Sequence, residues 1–94
     1  MKAVVRLTDV CTGHGCFPSR ENASASTHAF IEGLGVHRVG DAWNTHCCPP
    51  VCHDSVQGTG SDFVFFEGKA VARISDNIAC GGTNATGSDF VFCE

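Results

Sequence analysis

Residues 45–53 read THCCPPVCH, which crowds His46, Cys47, Cys48, Cys52 and His53 into one short stretch. Imidazole nitrogen and thiolate sulfur are the donors that hold zinc, and iron is the alternative for the same set. The thiols could instead pair as disulfides, or one could act as a nucleophile beside a histidine base. So short a segment rarely closes a four-ligand site alone. Further donors stand at His14 in "GHG" and at Cys80 in "DNIACGG".

The chain is organised by a repeat that relates these donors. "STHAFIEGLGVHRVGD" (26–41) aligns without gaps on "SDFVFFEGKAVARISD" (61–76), and "TGSDFVF" occurs at both 59–65 and 86–92. The amino terminus supplies the back half of the unit as "AVVRLTD", and the carboxyl terminus supplies only its front half. Each unit reads as a strand, a tight Glu-Gly turn, a second strand carrying an Arg, then Asp and a loop. Alternation in "DFVFF" suits a strand, and Glu-Gly between two β-prone runs is a hairpin signal. Helix signals are poor throughout. The expected fold is therefore all-β over 1–94 as one domain: a small conical, pseudo-threefold arrangement of β-hairpins. "ENASAST" (21–27) and "DSVQGTG" (54–60) read as polar connecting loops.

Each Arg-x-x-Asp is followed by a donor at nearly the same offset. Asp9 leads to His14, Asp41 to His46 and Asp76 to Cys80. Equivalent loops of a pseudo-threefold body converge on one axis, which predicts that these side chains meet at one end. His53 is the natural fourth ligand, giving a closed tetrahedral set suited to one structural zinc ion. A set that swaps in Cys47, Cys48 or Cys52 remains open. Adjacent Cys47 and Cys48 point apart in extended chain and do not easily share an ion. Cys11 and Cys16 read as buried small hydrophobes, and His28 and His37 as surface or edge residues. Asp9, Asp41 and Asp76 read as turn formers, with contact to the ligands as the second option. Arg6, Arg38 and Arg73 are expected to bond loop carbonyls rather than a substrate.

Composition narrows the function classes. Formal charge is −4 and the six Lys and Arg form no cluster, which argues against nucleic-acid binding. "MKAVVRLTDV" has no apolar core of a signal peptide, so the chain is expected to be made in the reducing cytoplasm. There disulfides are rare, and seven cysteines cannot all pair, so disulfides rank below metal. A catalytic zinc needs an open position that four protein ligands would fill, and Gly-rich hairpins leave little room for a cleft. An enzyme is not expected.

"KAVVRLTD", "GVHRVGD" and "KAVARISD" resemble the Pro-Ala-Ala-Arg motif of the PAAR-repeat proteins, with only the Arg kept in all three. "GHG", "DAWNTHCCPPVCH" and "DNIACGG" look like that family's ligand loops. The resemblance implies a cone of hairpins, stiffened by a metal near its apex. It also implies a partner, a trimeric β-helical spike capped by one chain per trimer, and transient contact with a target cell envelope. The place implied is the tip of a contractile phage tail, in the virion, or of a type VI secretion spike. A free-standing zinc-binding adaptor or a small Cys/His enzyme is the alternative.

Overall fold

A computed structural model describes residues 1–94 and contains no helix. Its strands are β1 (Lys2–Ala3), β2 (Phe30–Ile31), β3 (Leu34–Gly35), β4 (Ala42–Cys48), β5 (Val51–Val56), β6 (Phe65–Phe66), β7 (Lys69–Ala70) and β8 (Phe92–Cys93). They pair only as antiparallel two-stranded ribbons: β2 with β3, β6 with β7, β4 with β5, and β1 with β8. The last pairing joins the two half-units into the third hairpin, with Ala3 opposite Phe92 where the others place Gly35 opposite Phe30 and Ala70 opposite Phe65.

The pseudo-threefold expectation is met in the backbone. The Val5 N–H donates to the Ala72 carbonyl, Ala72 to His37 and His37 to Val5, at 3.0, 2.9 and 3.0 Å. These equivalent positions close a ring of hydrogen bonds, and none of the three residues is exposed. A second cycle surrounds it: Leu7 N–H to Gly35, Val39 to Ala70 and Ile74 to Ala3.

Side chains stack in matching layers along this ring's axis. Val4, Val36 and Val71 form one apolar layer with Cys93. Cys11, Trp43 and Ile78, again equivalent in the three units, form the next, with Cys80 packed against it. Each fully buried aliphatic side chain contributes about 1.5–3 kcal/mol. The core is nonetheless thin, since buried polar and charged residues such as Asn22, Gln57 and Asn84 outnumber the buried hydrophobic ones.

Turn chemistry follows the sequence. Glu32–Gly33 and Glu67–Gly68 all have positive φ, the pairing that a twisted two-residue hairpin turn requires. Each Glu is held in this position by neighbours: Glu32 accepts from Arg6 and Ser88, Glu67 from Arg38 and Ser26. The Arg residues thus bond carboxylates first, which corrects the expectation of loop carbonyls. Arg6, Arg38 and Arg73 each grip the Asp three residues on. Carbonyl contacts are secondary, to Gly87 from Arg6 and to Gly60 from Arg73. A half-buried guanidinium needs an anion, and the Asp of the same turn is nearest. Burial alone would raise the Asp41 carboxyl, but hydrogen bonds from Arg38 outweigh it and hold the group below its ordinary value.

Other elements differ from expectation. The strand expected over 62–66 shrinks to Phe65–Phe66, because Ser61 Oγ accepts from the Phe63 and Val64 amides and turns the chain. Residues 54–56, expected in a loop, belong to β5. His37, expected at a surface or edge, is fully buried against Trp43, while His28 is exposed. The His37 Nδ1–H donates to the Ser24 carbonyl at 2.8 Å and the His37 Nε2 has no partner.

Burial lowers the His37 pKa below its ordinary value of 6.5. The unfolded chain then takes up a proton below about pH 6.5 that the folded chain refuses. Stability from this group is complete above that pH and falls by at most about 1.4 kcal/mol per pH unit below it. His37→Val, which copies the residue at the equivalent Val5, should give a flatter dependence of melting temperature on pH between about 7 and 5 than the native chain under the same metal conditions. Equal slopes would show that His37 does not contribute.

Candidate metal centre

The long hairpin of β4 and β5 carries the centre of the site. Trp43 and His46 are three residues apart, so an ideal strand would turn them to opposite faces. The register shifts between them, and this bulge brings both side chains inward. Trp43 enters the core layer and His46 lies beyond it. His46 is directly opposite His53 on β5, so the two imidazoles share one face.

Two loops complete the cluster. His14 comes from a tight loop closed by its own N–H and carbonyl, both bonded to Phe17 at 3.0 and 2.9 Å. Cys80 comes from a loop pinned to β5 by its N–H, which donates to Ser55 Oγ at 3.0 Å. The loops meet backbone to backbone. A Cβ on Gly82 would stand 2.7 Å from the Gly13 carbonyl oxygen, so only glycine permits this approach.

His14, His46, His53 and Cys80 place one donor atom each within 4.8 Å of one another, a group that could hold a metal ion. The Nε2 atoms of His14 and His53 are 3.2 Å apart, those of His46 and His53 2.6 Å, and Cys80 Sγ is 3.6 Å from His14 Nε2. Bond lengths of about 2.0–2.1 Å to nitrogen and about 2.3 Å to sulfur set tetrahedron edges of about 3.3 Å and 3.6 Å. The first and last spacings are of this size and the His46–His53 spacing is shorter; in donor type and number the set is one that could hold a tetrahedral ion.

Surrounding groups orient the four donors. His46 Nδ1–H donates to the Pro18 carbonyl at 2.8 Å, which leaves Nε2 as the free donor. Phe17 stacks on His53 and His14 with ring centres 4.2 and 4.9 Å away. Burial, then the charges of His46 and His14, lower the His53 pKa and favour the neutral ring that a metal needs. Asp9, Asp41 and Asp76 do not touch the four donors; they brace their own turns, as the turn-former reading expects.

Cysteine pairing is the main departure. Cys16 is bonded to Cys48 and Cys47 to Cys52, whereas disulfides had ranked below metal, and Cys16 is exposed rather than a buried apolar residue. The donor cluster and the disulfides coexist because adjacent Cys47 and Cys48 do point apart, each to a partner outside the cluster. Cys11 is buried and free, as expected, and Cys80 and Cys93 are also free.

The sequence profile of the PAAR motif family matches residues 8–86. The chain belongs to the PAAR-motif family. No curated protein matched it. Its PAAR-like segments are the ones that carry the hydrogen-bond ring, and His14, His46 and Cys80 lie beyond their Arg-x-x-Asp turns.

Arg20 was missed in the sequence because it lies outside the repeat. It is buried, lies 5.3 Å over the Trp43 ring and donates to the Asn44 carbonyl, Cys11 Sγ and Cys80 Sγ. No carboxylate pairs with it. A metal-bound thiolate at Cys80 would supply the counter-charge that a buried guanidinium requires. Arg20→Met should lower zinc affinity by about tenfold or more, read by competition with a chromophoric chelator, with Arg20→Lys falling between. An unchanged affinity in Arg20→Met would remove Arg20 from the site.

Proposed function

We propose that this PAAR protein is the tip of the spike of a contractile injection machine, on a phage tail or a type VI secretion spike. One chain caps one trimeric β-helical spike and sharpens it for passage through a target cell envelope. His14, His46, His53 and Cys80 bind one structural ion, with zinc the best match to three imidazoles and a thiolate.

The observation that carries this reading is the threefold equivalence of the exposed end. Phe30, Phe65 and Phe92 hold the same position in the three hairpins and are 59, 53 and 47% exposed. Apolar rings left in water on equivalent strands suit a partner that presents the same surface three times. The hairpins also offer strand edges to such a partner. Family membership supports the same role. A structural part is favoured over an enzyme by membership of the family.

The ion would supply folding energy. Structural zinc is worth on the order of 10 kcal/mol or more, against ~5–15 kcal/mol for the whole stability of a domain. Elemental analysis should find about one zinc or iron per chain. Chelation or His14→Ala should lower the melting temperature, and a metal-free chain that melts unchanged in chelator would sink the metal assignment.

The docking face is tested separately. Phe65→Asp and Phe92→Asp should each abolish co-elution with the spike trimer, while the native chain elutes at one copy per trimer. Normal binding by both variants would place the contact elsewhere on the molecule.

A further inference from the structure

Two disulfides flank the ligand cluster, and each spans nearly the same stretch of chain as a pair of its donors. Cys16 and Cys48 are 32 residues apart, the same separation as His14 and His46, which lie two positions before them. Cys47 and Cys52 form the rung next to His46 and His53 on the β4–β5 ladder. Their Cα atoms are 4.1 Å apart, as in the closer rungs of an antiparallel pair. The Cys16–Cys48 bond, with Cα atoms 5.5 Å apart, ties the His14 loop to that hairpin.

We propose that these disulfides are covalent counterparts of the metal: made by exchange with a low-molecular-weight disulfide, they hold the three imidazoles together and raise the affinity of the apex for its ion. The proposal rests on the ligand assignment given above. In each exchange two protein thiols are oxidised and one S–S bond forms between them. The S–S bond of the oxidant breaks, and it leaves as two thiols that carry the protons away.

The physical reason is loop closure. Bringing His14 to His46 costs the chain the entropy of closing that loop, and a metal binding to the reduced chain must offset it. The Cys16–Cys48 bond has already closed the loop, so metal binding no longer bears that cost. The same holds on a smaller scale for His46 and His53 once Cys47 and Cys52 are joined. Cys80 has no covalent counterpart, being a free thiol 66 residues from His14 in sequence. In an oxidised chain stripped of metal, the three imidazoles should stay gathered and the Cys80 loop alone should loosen. Linkage makes the effect reciprocal: bound metal favours disulfide formation by the factor with which the disulfides favour metal.

Exposure fits this division of labour. Cys16, Cys47 and Cys52 are exposed and Cys48 is half-buried, so exchange can reach every bond from outside. Cys11 and Cys93 are buried and stay outside the exchange. A chain made under reducing conditions would then depend on its ion, whereas an oxidised one would have a second restraint at the same point.

The test uses the full chain equilibrated with oxidised glutathione, beside the Cys16→Ser/Cys48→Ser and Cys47→Ser/Cys52→Ser double variants. Zinc affinity is read by competition with a chromophoric chelator, which avoids reductants that bind zinc. The Cys16/Cys48 variant should bind zinc about tenfold or more weakly than the oxidised native chain, and the Cys47/Cys52 variant should show a smaller loss, because it opens a shorter loop. Equal affinities in all three would overturn the proposal and leave the ligand assignment standing. Failure of every form to bind zinc would overturn the ligand assignment, and this proposal with it. Should a double variant lose its β circular dichroism, the native chain gives a second readout. The ratio of oxidised to reduced glutathione at which its thiols are half-oxidised, found by thiol labelling and mass spectrometry, should fall about tenfold when zinc is added. No shift with zinc would also overturn it.

Discussion

Three backbone hydrogen bonds, among Val5, His37 and Ala72, hold the three parts of the chain in one body. Each of these residues donates to one equivalent and accepts from the other, so the ring has no free end. Most of the strands here are only two residues long, and an isolated ribbon of that size is not stable in water. Closure replaces the missing sheet. It satisfies amides that burial would otherwise leave unpaired, and it fixes the three units at a common height. Arg-x-x-Asp turns, the valine layer and the Glu-Gly turns then take equivalent places around it.

Threefold equivalence persists through the Cys11, Trp43 and Ile78 layer and breaks at the ligands. The proposed metal would give the break a chemical reason. Three equivalent positions offer three donors, but a tetrahedral ion takes four. One unit therefore extends into the β4–β5 hairpin, which contributes His46 on the way out and His53 on the way back. The bulge after Trp43 makes this workable, since it lets one strand serve the core layer and the ligand cluster in succession. The symmetric end suits a threefold partner, and the asymmetric end can gather to a single point.

Restraints of different chemistry converge where the core is weakest. The apolar layers are small, and much of what is buried is polar and hydrogen-bonded. Near the ligands the chain relies instead on cross-links: the donor cluster, two disulfides, the Phe17 ring against the imidazoles, and Arg20 beneath the Cys80 sulfur. Buried arginine without a carboxylate is costly unless another anion is at hand. A thiolate committed to a metal would meet that need and would link the ion to the Trp43 layer.

The all-β class, the three units and the grouping of His14, His46, His53 and Cys80 were all legible in the sequence. They rest on local and periodic features: Glu-Gly turns, recurring Arg-x-x-Asp, and donors at matched offsets. Such features translate directly into structure, because equivalent sequence around an axis adopts equivalent positions. What lay between the units was not legible. His37 looked like a surface residue because histidine is polar, yet the ring places it on the axis beside Val5 and Ala72. Arg20 belongs to no repeat, and its partners Asn44, Cys11 and Cys80 are gathered only by folding. Cysteine count and compartment argued against disulfides, but pairing depends on distance and direction between side chains. Those were decided when the β4–β5 register set Cys47 opposite Cys52 and turned Cys48 towards the His14 loop.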